Sequence, residues 1–515
     1  MTTTLLQLPC ELPLLDGENW WGGRTADGVA MPFTSATRHK VALHTDLHAN
    51  QGCPFLVSDR GRYLWSDRPF VYEFAGGVIQ LGGSVHAILL GEGSADLPGA
   101  FLAAAASHFP SAGKTPPEDF FTLPQYNTWI ELNHNQTQRG VVEYARGIID
   151  AGYPVGVLMI DAGWFDYFGH LDFHAGRFPS PAEMVRQLHE WGFKVMLWVS
   201  PYFSADSREY RRWRDLPGWL LRNRNGLPAI LEWWDGYSAH LDLSHPEAMA
   251  WFRAELHRLQ NDYGIDGFKF DAGDALHFVN RPASWLDAAP VDLCEAWGRL
   301  ALDFPYNEYR ACWKLAGQPV VQRLHDRAPS WDQTGLLSLI PNTIAGGLLG
   351  HPFMCPDMIG GGDYLYFNRE GFHVDEELFI RWCQASALFP MMQFSSAPWR
   401  ILSAEGNALC REAALLHCKF GALFASVARD SAKTGEPMLR SMEYAFPSQG
   451  YASIHDQFMI GETLLVAPVL AQGARSRDVH IPRGKWLDDC GATVTGPAQI
   501  KVDAPLDRLP HWTRQ

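Results

Sequence analysis

The sequence predicts an α/β chain, a closed (β/α)8 barrel flanked by an N-terminal β-sandwich domain and a small C-terminal β-sandwich domain. Three observations predict it. Residues 1 to about 115 alternate short apolar runs with Gly, Asp and Ser turns, as in "RYLWSDRPFVYEFAGGVIQLGGSVHAILLG", and show no long helical stripe. From 116 to 432 short apolar strands alternate with helix-length amphipathic segments, the rhythm of a parallel sheet. From 433 to 515 short strands separated by turn residues return.

Taken in order, the Pro-rich "SAGKTPPEDFF" divides the first domain from the barrel. The barrel opens with the strand "QYNTWIEL", the helix "TQRGVVEYARGIIDAG", the strand "YPVGVLMID", the helix "SPAEMVRQLHEWG" and the strand "FKVMLWVSP". A long insertion then runs from 201 to about 245 and contains "LEWWDGYSAHLDLSHPEA", too aromatic for a disordered loop. The helix "HPEAMAWFRAELHRLQNDYG" leads into "IDGFKFD", and "QPVVQR", "HPFMCPD" and "FPMMQFSS" follow. No Gly-rich phosphate loop follows the first strand, which argues for a closed barrel over a doubly wound sheet and implies no nucleotide site. The last domain reads as "EPMLRSMEYAF", "DQFMIGETLLVAPVL", "SRDVHIP" and "GKWLDD".

Composition narrows the partners. The net charge of −15 opposes binding to nucleic acid or to an anionic membrane, both of which demand clustered Lys and Arg. Nine cysteines, an odd number without C-x-x-C spacing, read as reduced core residues and not as a disulfide framework or zinc site. The first residues, "MTTTLLQLPCELPLLDG", lack a basic n-region, and no run reaches the roughly 18 apolar residues of a membrane span, so a cytoplasmic location is expected.

Chemistry gathers at the strand ends, where a barrel of this kind places its site. In "YGIDGFKFDAGD", residues 263–274, Lys269 and Asp271 share one strand face while Phe268 and Phe270 take the other. An internal ion pair without further role is the alternative reading. The first strand offers Trp129 and Glu131, the second ends in Asp161 followed by "AGWF" with Trp164, and the third carries Trp198 before Pro201 and Tyr202. Arg323 ends "PVVQR", and Asp332 lies nine residues on, in "DRAPSWDQTG". Trp233, Trp234 and Asp235 of the insertion form one expected wall; a packing flap is the alternative. Carboxylates, one lysine, one arginine and tryptophans around a rim suit sugar chemistry, in which paired carboxyls cleave the glycosidic bond and aromatic rings stack on apolar sugar faces.

These segments resemble glycoside hydrolase family 31, retaining α-glycosidases built from a β-sandwich, a (β/α)8 barrel and C-terminal β domains. "GFKVMLWVSPYFS", "DGFKFDAGD" and "GHPFMCPDMIGG" are similar to its barrel motifs, and "EPMLRSMEYAFP" with "DQFMIGETLLVAPVL" to its C-terminal domain. "IDAGWF" also echoes family 36 α-galactosidases. The resemblance implies that Asp271 is the nucleophile and Asp332 the general acid/base, with Asp326 as the alternative acid. It further implies that Trp129, Asp161, Trp164, Trp198, Trp234, Lys269, Arg323 and Asp357 bind substrate, without metal or organic cofactor. Pro356 stands before Asp357 where the family commonly has histidine. "FKFDAG" with "CPDMIGGG" looks most like its α-galactosidase branch, so an exo-acting α-galactosidase on a small oligosaccharide or glycoside is expected. α-Glucosidase, α-xylosidase, sulfoquinovosidase, transglycosylase and a non-catalytic sugar-binding protein are the alternatives, and a homo-oligomer is left open.

Overall fold

Eight parallel strands form the centre of the computed structural model, which describes residues 3–44, 50–84, 86–278, 280 and 282–515. In chain order they are Gln125–Asn127, Val157–Ile160, Lys194–Val199, Gly267–Phe270, Tyr306–Tyr309, Gln322–Arg323, Met354–Cys355 and Gln393–Phe394. Each pairs with the next through the seventh, and the eighth pairs back with the first. A parallel bridge from Met358 to Gln393 joins the remaining ends, so the ring is a nearly closed barrel.

Nearly every residue of these strands is buried, because helices cover one face and the barrel interior the other. The helix Gln138–Asp150 begins where the Thr137 side chain accepts from the Gly140 amide. Pro246–Tyr263 has proline in its first turn, where a missing N–H costs nothing, and stops at Gly264 with φ +76°.

Two strands depart from the sequence reading. "QYNTWIEL" is a strand only over Gln125–Asn127; Trp129–Leu132 then turns into one helical turn, and Glu131 points to Ala397 and Arg400, away from the cavity. The fifth strand, Tyr306–Tyr309, went unread because "YNEY" has no apolar run. Its Asn307 and Glu308 are both buried, and Glu308 points into the barrel, where Gln393 donates to it at 2.6 Å and to Gln125 at 3.0 Å. A polar strand is stable there because its groups are satisfied.

Antiparallel sheets of five and four strands precede the barrel, and a six-stranded antiparallel sheet follows it. The insertion folds into a three-stranded sheet of Tyr202–Ser204, Ile230–Trp233 and Gly236–His240, and Trp233 stacks on Tyr202 at 4.2 Å. Six of the nine cysteines are buried and Cys490 is exposed, all without disulfides. Among the described residues, no helix is long and apolar enough to cross a membrane.

Candidate active site

The strand Gly267–Phe270 aims the chemistry. Gly267 lies so close to the fifth strand that a Cβ would meet the Tyr306 carbonyl at 1.9 Å, so only glycine lets the two backbones pair. Phe270 stacks on Tyr309 at 4.8 Å on the outer face, which leaves Lys269 and Asp271 on the inner one. Both line a cavity of about 230 Å³ at the C-terminal ends of the strands, shared with Trp129, Asp161, Trp198 and Trp234.

Asp271 is fully engaged. Trp198 Nε1 donates to its Oδ2 at 2.9 Å, and Arg310 Nε and the Ala272 amide donate to Oδ1 at 2.9 and 2.8 Å. Burial pushes this carboxyl up, but the charges of Arg310, Lys269 and Arg323 together outweigh burial and hold it well below the usual carboxylate range. The lysine itself donates to Asp161 at 2.6 Å. Burial favours its neutral form, yet the Asp161 and Asp271 charges win and its pKa is raised.

The sixth strand organises a second carboxyl. Arg323 is buried and sits 3.2 Å from Glu308, 2.8 Å from Asp326 and 2.6 Å from Asp357. Asp326 is thereby held on the cavity wall with its side chain 34% exposed.

Asp332 is not on that wall. It lies exposed in its own turn, where its carboxylate accepts from Thr334 N at 2.7 Å, Thr334 Oγ1 at 2.6 Å and Ser330 Oγ at 2.9 Å. The Thr334 hydroxyl and amide lower its pKa, the reverse of what a proton donor needs. Of the two carboxyls expected for the acid, Asp326 lines the cavity and Asp332 does not.

Three other expected contacts stand behind the wall. Trp164 is buried and donates from Nε1 to the Trp198 carbonyl at 2.9 Å, so it braces Trp198. Arg323 is buried behind the lining, where it holds Asp326 and acts on Asp271 through its charge. Asp357 is buried with φ +97°, a strained value for a non-glycine residue, and is pinned by Arg323 and by the Arg327 amide at 2.8 Å.

The cavity also contains groups that the sequence reading did not place. Arg310, one residue past the unread strand, bonds Asp271 and, at 2.7 Å, Asp274, and its guanidinium lies 4.5 Å from the Trp234 ring. His325, Asp363 and Tyr364 complete the wall beside Asp235, whose carboxyl burial pushes up. A charged residue at each strand end was the available signal, and it was missed where the strand was missed. Among the described residues, the one grouping of metal-ligand type is Asp488, Asp489 and Cys490, outside the cavity, where Asp489 pairs with Arg508 at 2.7 Å.

A parallel eight-stranded barrel with carboxylates, cations and tryptophans converging on its C-terminal rim defines a carbohydrate-active class of site. The family comparison narrows it. The model for the glycosyl hydrolases family 31 TIM-barrel domain matches residues 120–296, and the model for the family 31 C-terminal domain matches 435–515. The chain belongs to glycoside hydrolase family 31.

The mouse myogenesis-regulating glycosidase is 33% identical over 411 residues, 78% of this chain and 57% of that protein. The Escherichia coli sulfoquinovosidase is 23% identical over 360 residues, 65% of this chain and 52% of its own. The chain spans about half the length of the curated relatives it matches. Among solved structures, a Flavobacterium johnsoniae dextranase complexed with glucose superposes with a TM-score of 0.85 at 20% identity, covering 99% of this chain and 67% of that one. An α-xylosidase from a soil metagenome, complexed with xylose, gives 0.83 at 21%, covering 100% and 81%.

Proposed function

We propose that the protein is a retaining exo-α-glycosidase. The observation that carries this reading is Asp271, a buried carboxylate kept ionised by Arg310 and Lys269 and facing a cavity that it shares with a second carboxyl, Asp326. In the first step Asp271 bonds to the anomeric carbon as the glycosidic C–O bond breaks, and Asp326 gives its proton to the departing oxygen. In the second, Asp326 takes a proton from water, whose oxygen bonds to the anomeric carbon and releases the Asp271 carboxylate. Retention requires the two carboxyls to act from about 5–5.5 Å across the anomeric centre.

The proposed sugar is galactose, a reading supported by the sequence segments "FKFDAG" and "CPDMIGGG". Asp161 and Lys269 pair within the cavity and offer an acceptor and a donor to an axial hydroxyl, and Trp234, 39% exposed, supplies a wall. Relatives named as α-glucosidase, α-xylosidase and sulfoquinovosidase make an α-glycoside in general the broader form of the proposal. A panel of aryl α-glycosides of galactose, glucose, xylose and sulfoquinovose tests both. Release of the sugar first as its α-anomer supports the mechanism, and preference for the galactoside supports the sugar. Comparable kcat/KM for galactoside and glucoside removes galactose, and first release of the β-anomer removes the retaining mechanism.

A further inference from the structure

The ladder between the fifth and sixth barrel strands is short. Gly267–Phe270 pairs with Tyr306–Tyr309 along its whole length, whereas the fifth and sixth strands share the single register pair Tyr309–Gln322. One residue past it on each strand stand Arg310 and Arg323, whose side chains hold Asp271 at 2.9 Å and Asp326 at 2.8 Å. Where the ladder stops, another contact has to fix how far apart these two residues lie.

Asn50 and Gln51 supply it from a different sheet. Both are buried just ahead of Gly52–Ser58, a strand of the five-stranded sheet that precedes the barrel. Asn50 Nδ2 donates to the carbonyls of Arg310 at 2.9 Å and Arg323 at 3.1 Å, and Gln51 Nε2 donates to the same two at 2.9 and 3.2 Å. A carbonyl only accepts, so the amide atoms facing these carbonyls are the nitrogens. Each nitrogen spans the gap between the strands, and each carbonyl receives from both side chains. Asn50 Oδ1 also accepts from the His325 amide at 3.0 Å, which fixes the chain between Arg323 and Asp326. The pair is itself anchored. The Thr25 amide donates to the Gln51 carbonyl at 3.0 Å, the Gly52 amide to the Cys312 carbonyl at 3.0 Å, and the Lys314 amide to the Gly52 carbonyl at 3.2 Å.

We propose that Asn50 and Gln51 are positioning residues, which tie together the ends of the fifth and sixth strands and so set the separation of Asp271 and Asp326. This rests on the glycosidase reading above and deepens it. Double displacement needs the two carboxyls at about 5–5.5 Å, so a drift of either strand end costs turnover before it costs binding. The N-terminal sheet is thereby a working part of the active site.

The two amides duplicate each other, and that separates this role from a merely structural one. One substitution leaves the tie in place, and two remove it.

The test uses the full chain and two aryl α-glycosides that the unmodified protein turns over, one with a good leaving group and one with a poor one. Asn50→Leu and Gln51→Met keep the side-chain volume and lose the donors. Each should lower kcat on the poor leaving group about fivefold, the size of one neutral hydrogen bond, with KM changed less than about threefold. The double variant should lose about 100-fold, more than the product of the two. The good leaving group, which needs no proton from Asp326, should lose less than about tenfold in the same variant. Equal losses on the two substrates, or single effects that simply multiply, would overturn the proposal. Should the double variant fail to fold, Asn50→Leu decides alone, since its loss must still be larger on the poor leaving group.

Hydrogen exchange read by mass spectrometry follows the tie without any turnover, so it stands even if the glycosidase reading fails. Peptides covering 306–312 and 322–328 should exchange at least about tenfold faster in the double variant, while those covering 194–199 stay unchanged. Unchanged exchange at the two strand ends would overturn it.

Discussion

Lys269 serves Asp161 before Asp271: its Nζ lies 2.6 Å from the first carboxylate and 3.9 Å from the second. The direct cationic bond to Asp271 comes from Arg310 at 2.9 Å, and the same guanidinium reaches Asp274 at 2.7 Å. Three carboxylates thus share two cations, and Asp271 stays ionised without monopolising either.

That sharing predicts the outcome of Asp271→Asn. The variant keeps the side-chain shape and leaves Asp161 and Asp274 facing Lys269 and Arg310, a balanced set. Turnover should fall by at least about 10⁴-fold while thermal unfolding stays cooperative. Activity within about tenfold of the unmodified protein would remove Asp271 from the nucleophile's place.

Asp326→Ala should slow glycosides with poor leaving groups far more than activated aryl glycosides, and added azide should rescue the latter, since azide attacks the glycosyl ester without needing a base. Asp332→Ala should leave both substrates unaffected. The reverse pattern would return the acid to the exposed turn.

Much of this site was legible from strand-end logic. Asp161, Trp198, Lys269 and Asp271 reach the cavity because period-two alternation and the polarity of a barrel fix where such side chains point, and Trp129 and Trp234 join them from a helical turn and from the insertion. What failed did so for local reasons. "YNEY" hides a strand because its inward residue Glu308 is charged and satisfied by Gln393 and Arg323, so Arg310 was never reached. Which of the two carboxyls reaches the cavity was not legible, because spacing along a loop does not fix direction: Asp326 follows Arg323 closely enough to be held by it, whereas Ser330 and Thr334 turn Asp332 onto its own backbone. Trp164 and Asp357 lie in the right segments but one layer back, and sequence pattern carries no signal of depth.

Arg323→Met tests the buried network. Removal of its charge strands Glu308 and Asp357 in the barrel interior, where burial already pushes Glu308 up. The unfolding free energy from urea titration should fall by about 3–5 kcal/mol. A loss below about 1 kcal/mol would show that neighbouring dipoles suffice for those carboxyls.

The pH dependence of stability follows from Asp271. Its folded carboxyl is depressed, so its contribution is present above the unfolded carboxylate's pKa, about 3.9, and is lost as pH falls toward the folded value. The difference in unfolding free energy between the unmodified protein and Asp271→Asn should be flat above about pH 5 and shrink in favour of the variant below about pH 4. A change centred between pH 5 and 8 would mean that Asp271 is raised instead.

The covalent intermediate gives the most direct measurement. A fluorinated α-glycosyl fluoride that forms the ester quickly and hydrolyses it slowly should trap the enzyme with one sugar attached, and peptide mass spectrometry should place that sugar on Asp271. A sugar on another carboxylate, or turnover of the reagent with no protein adduct and an inverted product, would contradict the account.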